Sequence, residues 1–216
     1  MGGWDFYDIS GALIYLALGA TALWGVFCIV IVWSRIAQKR FSTEDVQSEF
    51  LDTLEEPLAR GDFDTVVEMC QGNDRAVPQL VQLAVLNRGI GYNKVRQLVV
   101  DRFQRDILSD LDHRLSWVNT VIKSAPMLGL LGTVVGMMGA FGQLAAAEDV
   151  EPQDLAENIS LALITTAVGL SIAIPLILCM ASINVRIRQL EDLVGAGLTR
   201  FFDSLKIAMG RKWRQE

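Results

Sequence analysis

The chain has 216 residues, of which 51% are hydrophobic, with a mean hydropathy of +0.34 and a formal net charge of −6. That composition argues against an ordinary soluble domain, and the bases are interspersed with acids rather than clustered, which argues against a nucleic-acid partner. No Walker or GxGxxG sequence and no nucleophile–base constellation is present, so neither an ATP-driven protein nor an enzyme is expected.

Charge is segregated along the chain. All 19 Lys and Arg residues fall within Arg35–Lys123 and Arg186–Arg214. Three stretches, Ile9–Ser34, Ser124–Ala147 and Asn158–Val185, carry no charge. Each exceeds the roughly 20 apolar residues needed to cross a bilayer. Asp5 and Asp8 precede the first stretch, and Glu148, Asp149, Glu151, Asp154 and Glu157 lie between the second and third. Bases on one side and acids alone on the other give a positive-inside topology. The expected order is an external N-terminus at 1–10, a transmembrane helix at 11–33 and a cytoplasmic helical domain at 34–116. A second transmembrane helix at 117–145, an external loop at 146–157, a third helix at 158–185 and a cytoplasmic tail at 186–216 complete it. The expected fold is therefore all-α and polytopic, with two of its three membrane helices extended into the cytoplasm.

The first apolar segment reads as an anchor rather than a signal peptide, since no base precedes it and Arg35, Lys39 and Arg40 follow it. Trp4, Phe6 and Tyr7 at one end and Trp33 at the other suit the two membrane interfaces. In the internal domain, Phe41–Leu58 reads as a helix with Ser42 or Thr43 as its cap and Glu44 and Asp45 in its first turn. Pro57 is expected to perturb its end before Arg60-Gly61-Asp62 turns the chain. Phe63–Cys70 and Val77–Asn87 read as two further helices, the first stopped by Gly72-Asn73, the second with Pro78 near its start. From Asn93 a helical pattern runs unbroken to Pro126, with Leu98, Val99, Phe103, Ile107, Leu111, Leu115 and Val118 on one stripe. After Val185, Ile187, Leu190, Leu193 and Val194 continue an apolar stripe beyond the third span.

Segment two carries glycines at 129, 132, 136, 139 and 142, near one side of the helix. Small residues on one face permit close backbone approach in lipid, and Gly132 with Gly136 forms the common small-xxx-small pattern. Thr133 lies among them. Segment three carries Thr165, Thr166 and Gly169, then Pro175. Each threonine either bonds its own i−4 carbonyl and does nothing more, or joins a neutral polar strip bordering an ion path. No Asp, Glu, Lys, Arg or His lies inside any of the three segments, so in an ion-conducting role either a partner supplies the titrating group or backbone and hydroxyl oxygens suffice. His113 reads as exposed on the projecting helix. Lys123 reads as a snorkelling anchor or a contact for a partner's tail, and the basic tail around Arg211-Lys212-Trp213-Arg214 as a contact with lipid headgroups. Cys28, Cys70 and Cys179 have no metal-ligand spacing and read as apolar fillers.

At the run Ala125–Met137 and at Ala162–Leu170 with Ile174-Pro175, the chain resembles the ExbB/TolQ/MotA family of ion-driven membrane motor subunits. Gly61-Asp62-Phe63 followed by a Cys-containing helix, and three spans rather than four, place the resemblance closest to the ExbB/TolQ branch. The resemblance implies a homopentamer in a bacterial inner membrane, N-terminus periplasmic and C-terminus cytoplasmic. It implies an ExbD/TolR-like single-span partner dimer carrying the ion-binding aspartate, and a TonB/TolA-like protein as a further partner. The transported ion is H⁺ or Na⁺ and no cofactor is expected. By position, Thr133 and Thr166 match the family's pore-lining threonines, with Thr165 secondary. Pro126, Gly129, Gly132, Gly136, Gly169 and Pro175 match helix packing in the ring. Leu161 stands where ExbB and TolQ members commonly place a glutamate. Thr165 stands where they carry a small residue, and the Ile-Thr-Thr run is more like sodium-driven flagellar stators. The rival reading is a non-conducting membrane scaffold, which Leu161 favours.

Overall fold

The computed structural model describes residues 4–41, 43–146 and 152–212. Ser42, the loop acids Glu148, Asp149 and Glu151, and Trp213 and Arg214 lie outside them, as do the side chains of Trp4, Phe6, Tyr7, Asp154, Arg211 and Lys212. Among the described residues the fold is all-α. Its helices are α1 (Trp4–Lys39), α2 (Glu44–Arg60), α3 (Phe63–Cys70), α4 (Ala76–Leu86), α5 (Tyr92–Arg102), α6 (Ser109–Ala146) and α7 (Pro152–Lys212). A 3₁₀ turn, Arg88–Ile90, precedes α5, and a π-helical stretch, Phe103–Leu108, joins α5 to α6. Among the described residues, three regions are long and apolar enough to cross a membrane, within Ile9–Arg60, Tyr92–Ala145 and Leu155–Ala208. At 1.5 Å per residue, the 61 residues of α7 measure about 90 Å, roughly three times a ~30 Å hydrocarbon core.

Two compact units emerge, Met1–Ile31 with Arg114–Ser182, and Val32–His113 with Ile183–Glu216. In the first, large side chains such as Leu18, Val118, Val121 and Leu176 are buried, but so are many small ones, and much of the apolar surface faces outward. Small residues are buried, among them Ala125, Gly129, Gly132, Ala162, Gly169 and Ala173, while Leu16, Leu23, Phe27, Met127, Leu163 and Leu178 are exposed. Outside water an exposed leucine costs nothing, and helices associate through close packing rather than apolar burial. Cys179 is exposed on this surface rather than acting as a buried filler.

The second unit packs in the ordinary way. Leu51, Leu54, Leu58, Val66, Val81, Val85 and Val99 are buried together with Ile183, Leu190, Val194, Phe201 and Leu205 of α7. Helix α2 starts at Glu44, later than the expected Phe41, because Phe41 turns inward to meet Phe50 and lies under the Arg75 guanidinium. Thr43 takes the cap position in an extended conformation without a side-chain cap bond. Pro57 does not end the helix, which runs to Arg60. Gly61 then adopts φ +75°, its N–H donates to Leu58 O, and Asp62 N–H donates to Pro57 O, a Schellman closure. Asp62 in turn caps α3, accepting from the Thr65 N–H at 3.2 Å and from its hydroxyl at 2.6 Å. Cys70 is buried, and burial pushes its thiol up to about 12. Arg200 of α7 reaches Ser48, Asp52 and Glu55 of α2, with 3.0 Å to Ser48 Oγ and 2.7 Å to Glu55 Oε1. Arg186 covers the Trp33 ring at 4.0 Å.

The unbroken α-helix expected from Asn93 contains a π stretch instead. Val95, Val99, Phe103, Ile107, Leu111 and Leu115 recur every fourth residue. In an α-helix each four-residue step overshoots a full turn by about 40°. A stretch with i→i+5 bonding turns more slowly and offsets that drift. Ile107 and Leu111 are thereby both buried. His113 and Lys123 are exposed, as their sequence context implies.

Candidate functional site

Helices α6 and α7 meet along a seam of glycines. A Cβ added at Gly129 would lie 2.7 Å from Thr165 O and 2.9 Å from Thr166 Cα. At Gly136 it would lie 2.6 Å from Ala162 Cβ, and at Gly169, 2.5 Å from Ala125 O. These three glycines are where the chain backbones, or a backbone and a methyl, come within van der Waals distance. At Gly132 the neighbour is the Thr165 side chain, with Oγ1 at 2.5 Å. Helix α1 joins through Gly25, where a Cβ would meet Leu176 Cδ1 and Val121 Cγ1, each at 2.9 Å.

The close approach brings the three threonines together. Thr133 Oγ1 and Thr166 Oγ1 lie 2.5 Å apart across the seam. Thr165 Oγ1 is 2.9 Å from Gly129 O and 2.7 Å from Ala162 O. Thr166 Oγ1 is 3.0 Å from Gly129 O, and Thr133 Oγ1 is 3.2 Å from both carbonyls. Two carbonyl oxygens therefore face three hydroxyls. Each carbonyl has two lone pairs, one of them committed to the i+4 N–H of its own helix. With two-centre bonds, two hydroxyl protons go to carbonyls and the third lies between Thr133 and Thr166. Several such patterns interchange by hydroxyl rotation alone. All the protons are used within the cluster while lone pairs on the hydroxyl oxygens stay free. The result is a neutral, oxygen-rich cluster.

The three threonines differ in burial. Thr165 is 4% exposed and enclosed between the helices, whereas Thr133 and Thr166 are half-buried. Pro126 is half-buried and Pro175 exposed, and neither interrupts its helix. Leu161, 50% exposed, lies one turn before Thr165, and the Tyr15 hydroxyl of α1 is 3.5 Å from its carbonyl oxygen. The carbonyls of Gly129 and Ala162 do not stand out in the sequence. They carry no side-chain signal, and only the pairing of glycine against threonine hints at them. Gln143 and Asn158, whose amides meet at 2.6 Å near the other end of the seam, belong to no sequence motif either.

Residues 76–195, more than half of the chain, match the family described as the MotA/TolQ/ExbB proton channel family. The Tol-Pal system protein TolQ of Haemophilus influenzae is 35% identical over 94 residues, 44% of this chain and 41% of that protein. An ExbB homologue of the biopolymer transport type from Methanothermobacter thermautotrophicus is 29% identical over 193 residues, 88% of this chain and 66% of that protein. The biopolymer transport protein ExbB of Helicobacter pylori is 35% identical over 100 residues, 46% of this chain and 68% of that protein. The chain thus spans less than two thirds of the length of the first two relatives. The hydroxyl cluster and its glycine seam lie inside the matched region, and the chain belongs to the MotA/TolQ/ExbB proton channel family, in its ExbB/TolQ branch.

Proposed function

We propose that this chain is the ring-forming subunit of an ion-gradient-driven motor in the inner membrane of a bacterium, converting H⁺ flow into mechanical work on the cell envelope. The observation that carries the reading is the convergence of Thr133, Thr165 and Thr166 on the Gly129 carbonyl, with Thr133 and Thr166 only half-buried. The cluster has no group that titrates. A homopentamer therefore works with an ExbD/TolR-like single-span dimer that brings an aspartate to Thr133 and Thr166, and a TonB/TolA-like protein receives the work. The topology is that of the sequence: 1–10 and 146–157 outside, 34–116 and 186–216 in the cytoplasm, spans at 11–33, 117–145 and 158–185. Thr165 holds the seam together and borders the path only secondarily. Pro126 and the seam glycines set the packing.

The test is H⁺ uptake by vesicles containing the chain and its single-span partner. Thr133→Val and Thr166→Val should abolish most uptake while ring mass, read by native mass spectrometry, is unchanged. Wild-type uptake in both variants would refute the ion path. Replacing Na⁺ with K⁺ at constant proton gradient separates the ions, since unchanged activity excludes Na⁺ coupling. A second reading, a non-conducting scaffold, is favoured by Leu161, which takes up no proton; it expects the valine variants to be silent.

A further inference from the structure

The side-chain amides of Gln143 on α6 and Asn158 on α7 meet across the seam, Asn158 Nδ2 donating to Gln143 Oε1 at 2.6 Å. Placing two amides in an apolar segment is costly unless their polar atoms are satisfied. This pair satisfies them only in part. One bond consumes one N–H and one oxygen lone pair, so whichever way each amide is turned, one amide oxygen remains without a hydrogen bond among the described residues. That atom is not sealed away, since among the described residues the buried side-chain polar atom lacking a partner is Arg40 Nε. Both residues are half-buried.

Its place on the seam is informative. From Asn158, steps of four residues lead to Ala162 and then Thr166. From Gln143, the seam passes Gly136, packed on Ala162, to Thr133. Between the amides and the hydroxyls the seam therefore carries small side chains over about 12 Å of α7. Glu157, exposed, directly precedes Asn158, and Glu148, Asp149, Glu151 and Asp154 are its neighbours in sequence. Such a run of acids raises the local cation concentration. Along the seam an amide oxygen, then hydroxyl oxygens, form a series of oxygen ligands for a hard cation.

We propose that the Gln143–Asn158 pair is a cation-capture site, where an incoming hydronium or Na⁺ exchanges part of its water for the free amide oxygen before reaching Thr133 and Thr166. The proposal rests on the ion-path reading above. The test is ion uptake in vesicles holding the full chain and its single-span partner, as a function of Na⁺ concentration and of pH. It compares Gln143→Ala, Asn158→Ala, the exchange pair Gln143→Asn with Asn158→Gln, and Thr133→Val. The alanine variants should keep ring mass and melting temperature but raise the cation concentration for half-maximal uptake roughly fivefold or more, with little change in the maximal rate. The exchange pair should restore most of the affinity. Whether the Na⁺ or the H⁺ dependence moves identifies the cation. Unmoved cation dependence in the alanine variants, with Thr133→Val inactive, overturns the capture site and leaves the ion path standing. Loss of ring mass restored by the exchange pair, again with unmoved cation dependence, assigns the amides to helix packing and also overturns it. Full uptake in Thr133→Val shows instead that the ion-path reading itself is wrong.

Discussion

Thr165 occupies the space that a side chain at Gly132 would need: a Cβ there would lie 2.5 Å from the Thr165 hydroxyl oxygen. The glycine and the threonine form one interlocking unit, and the position of Thr133 beside Thr166 follows from it.

The glycines of the seam should differ in tolerance according to what they face. At Gly129 and Gly169 the obstacle is backbone, which has nowhere to go. Gly129→Ala and Gly169→Ala should each destabilise by about 1–3 kcal/mol, the usual range for overpacking. Nothing lies within 4 Å of a Cβ at Gly11 or Gly19, so alanine there should be neutral or slightly stabilising. Tryptophan-fluorescence melting in detergent distinguishes the two groups, and equal shifts in all four variants would contradict the account.

Thr165 should behave as a packing residue. Thr165→Val keeps the shape and removes the hydroxyl that reaches Gly129 O and Ala162 O. It should lower stability by about 0.5–1.5 kcal/mol. Thr165→Ser keeps the hydroxyl and should retain more ion uptake than Thr133→Ala. A Thr165→Val protein with full stability but no uptake would place Thr165 on the path instead.

In the second unit, Gln47 is buried and its Nε2 donates to Leu193 O at 2.6 Å, while a Cβ at Gly197 would lie 2.6 Å from the same nitrogen. Gly197→Ala should therefore destabilise the unit by about 1–2 kcal/mol through this one contact. Combined with Gln47→Ala, which empties that space, its cost should largely vanish. A double-mutant cycle in denaturant reads the coupling, and additive costs would rule out the contact as the cause.

Asp62 supplies a pH-dependent element. The Thr65 hydroxyl first, and its backbone N–H second, hold the Asp62 carboxyl below its ordinary range. A depressed folded pKa means stabilisation that is complete above the unfolded value of about 4 and is lost as pH falls through the lower folded value. The difference in melting temperature between the wild type and Asp62→Ala should be constant from neutral pH to about 5 and shrink below about 4. A difference independent of pH down to acid conditions would mean that the carboxylate charge is not what caps α3.

Much of the fold is legible in the amino-acid sequence. Uncharged stretches disclose the helices long and apolar enough to cross a membrane, because moving a charge into hydrocarbon is costly wherever it occurs. The bounds of α3 can be read from Asp62 and Gly72, since capping and positive φ are local effects. The start of α2 and the π stretch cannot. Phe41 leaves the helix for a ring and a guanidinium distant in sequence, and the i+4 stripe from Val95 to Leu115 is compatible with a helix until its burial has to be met on one side.

The candidate site divides in the same way. The sequence by itself determined which residues bring hydroxyls and which bring space, because a threonine and a glycine announce both in their identity. It also determined that no Asp, Glu, Lys, Arg or His lies within the three uncharged stretches. Only the tertiary structure decided that three hydroxyls share two carbonyls, that Thr165 is enclosed while Thr133 and Thr166 are half-buried, and that Gln143 meets Asn158. Those facts depend on the register of α6 against α7, which is set by backbone contacts at Gly129 and Gly169 and by the Ala162 methyl against Gly136, and a carbonyl oxygen, present at every residue, leaves no trace in the sequence of which one will be used.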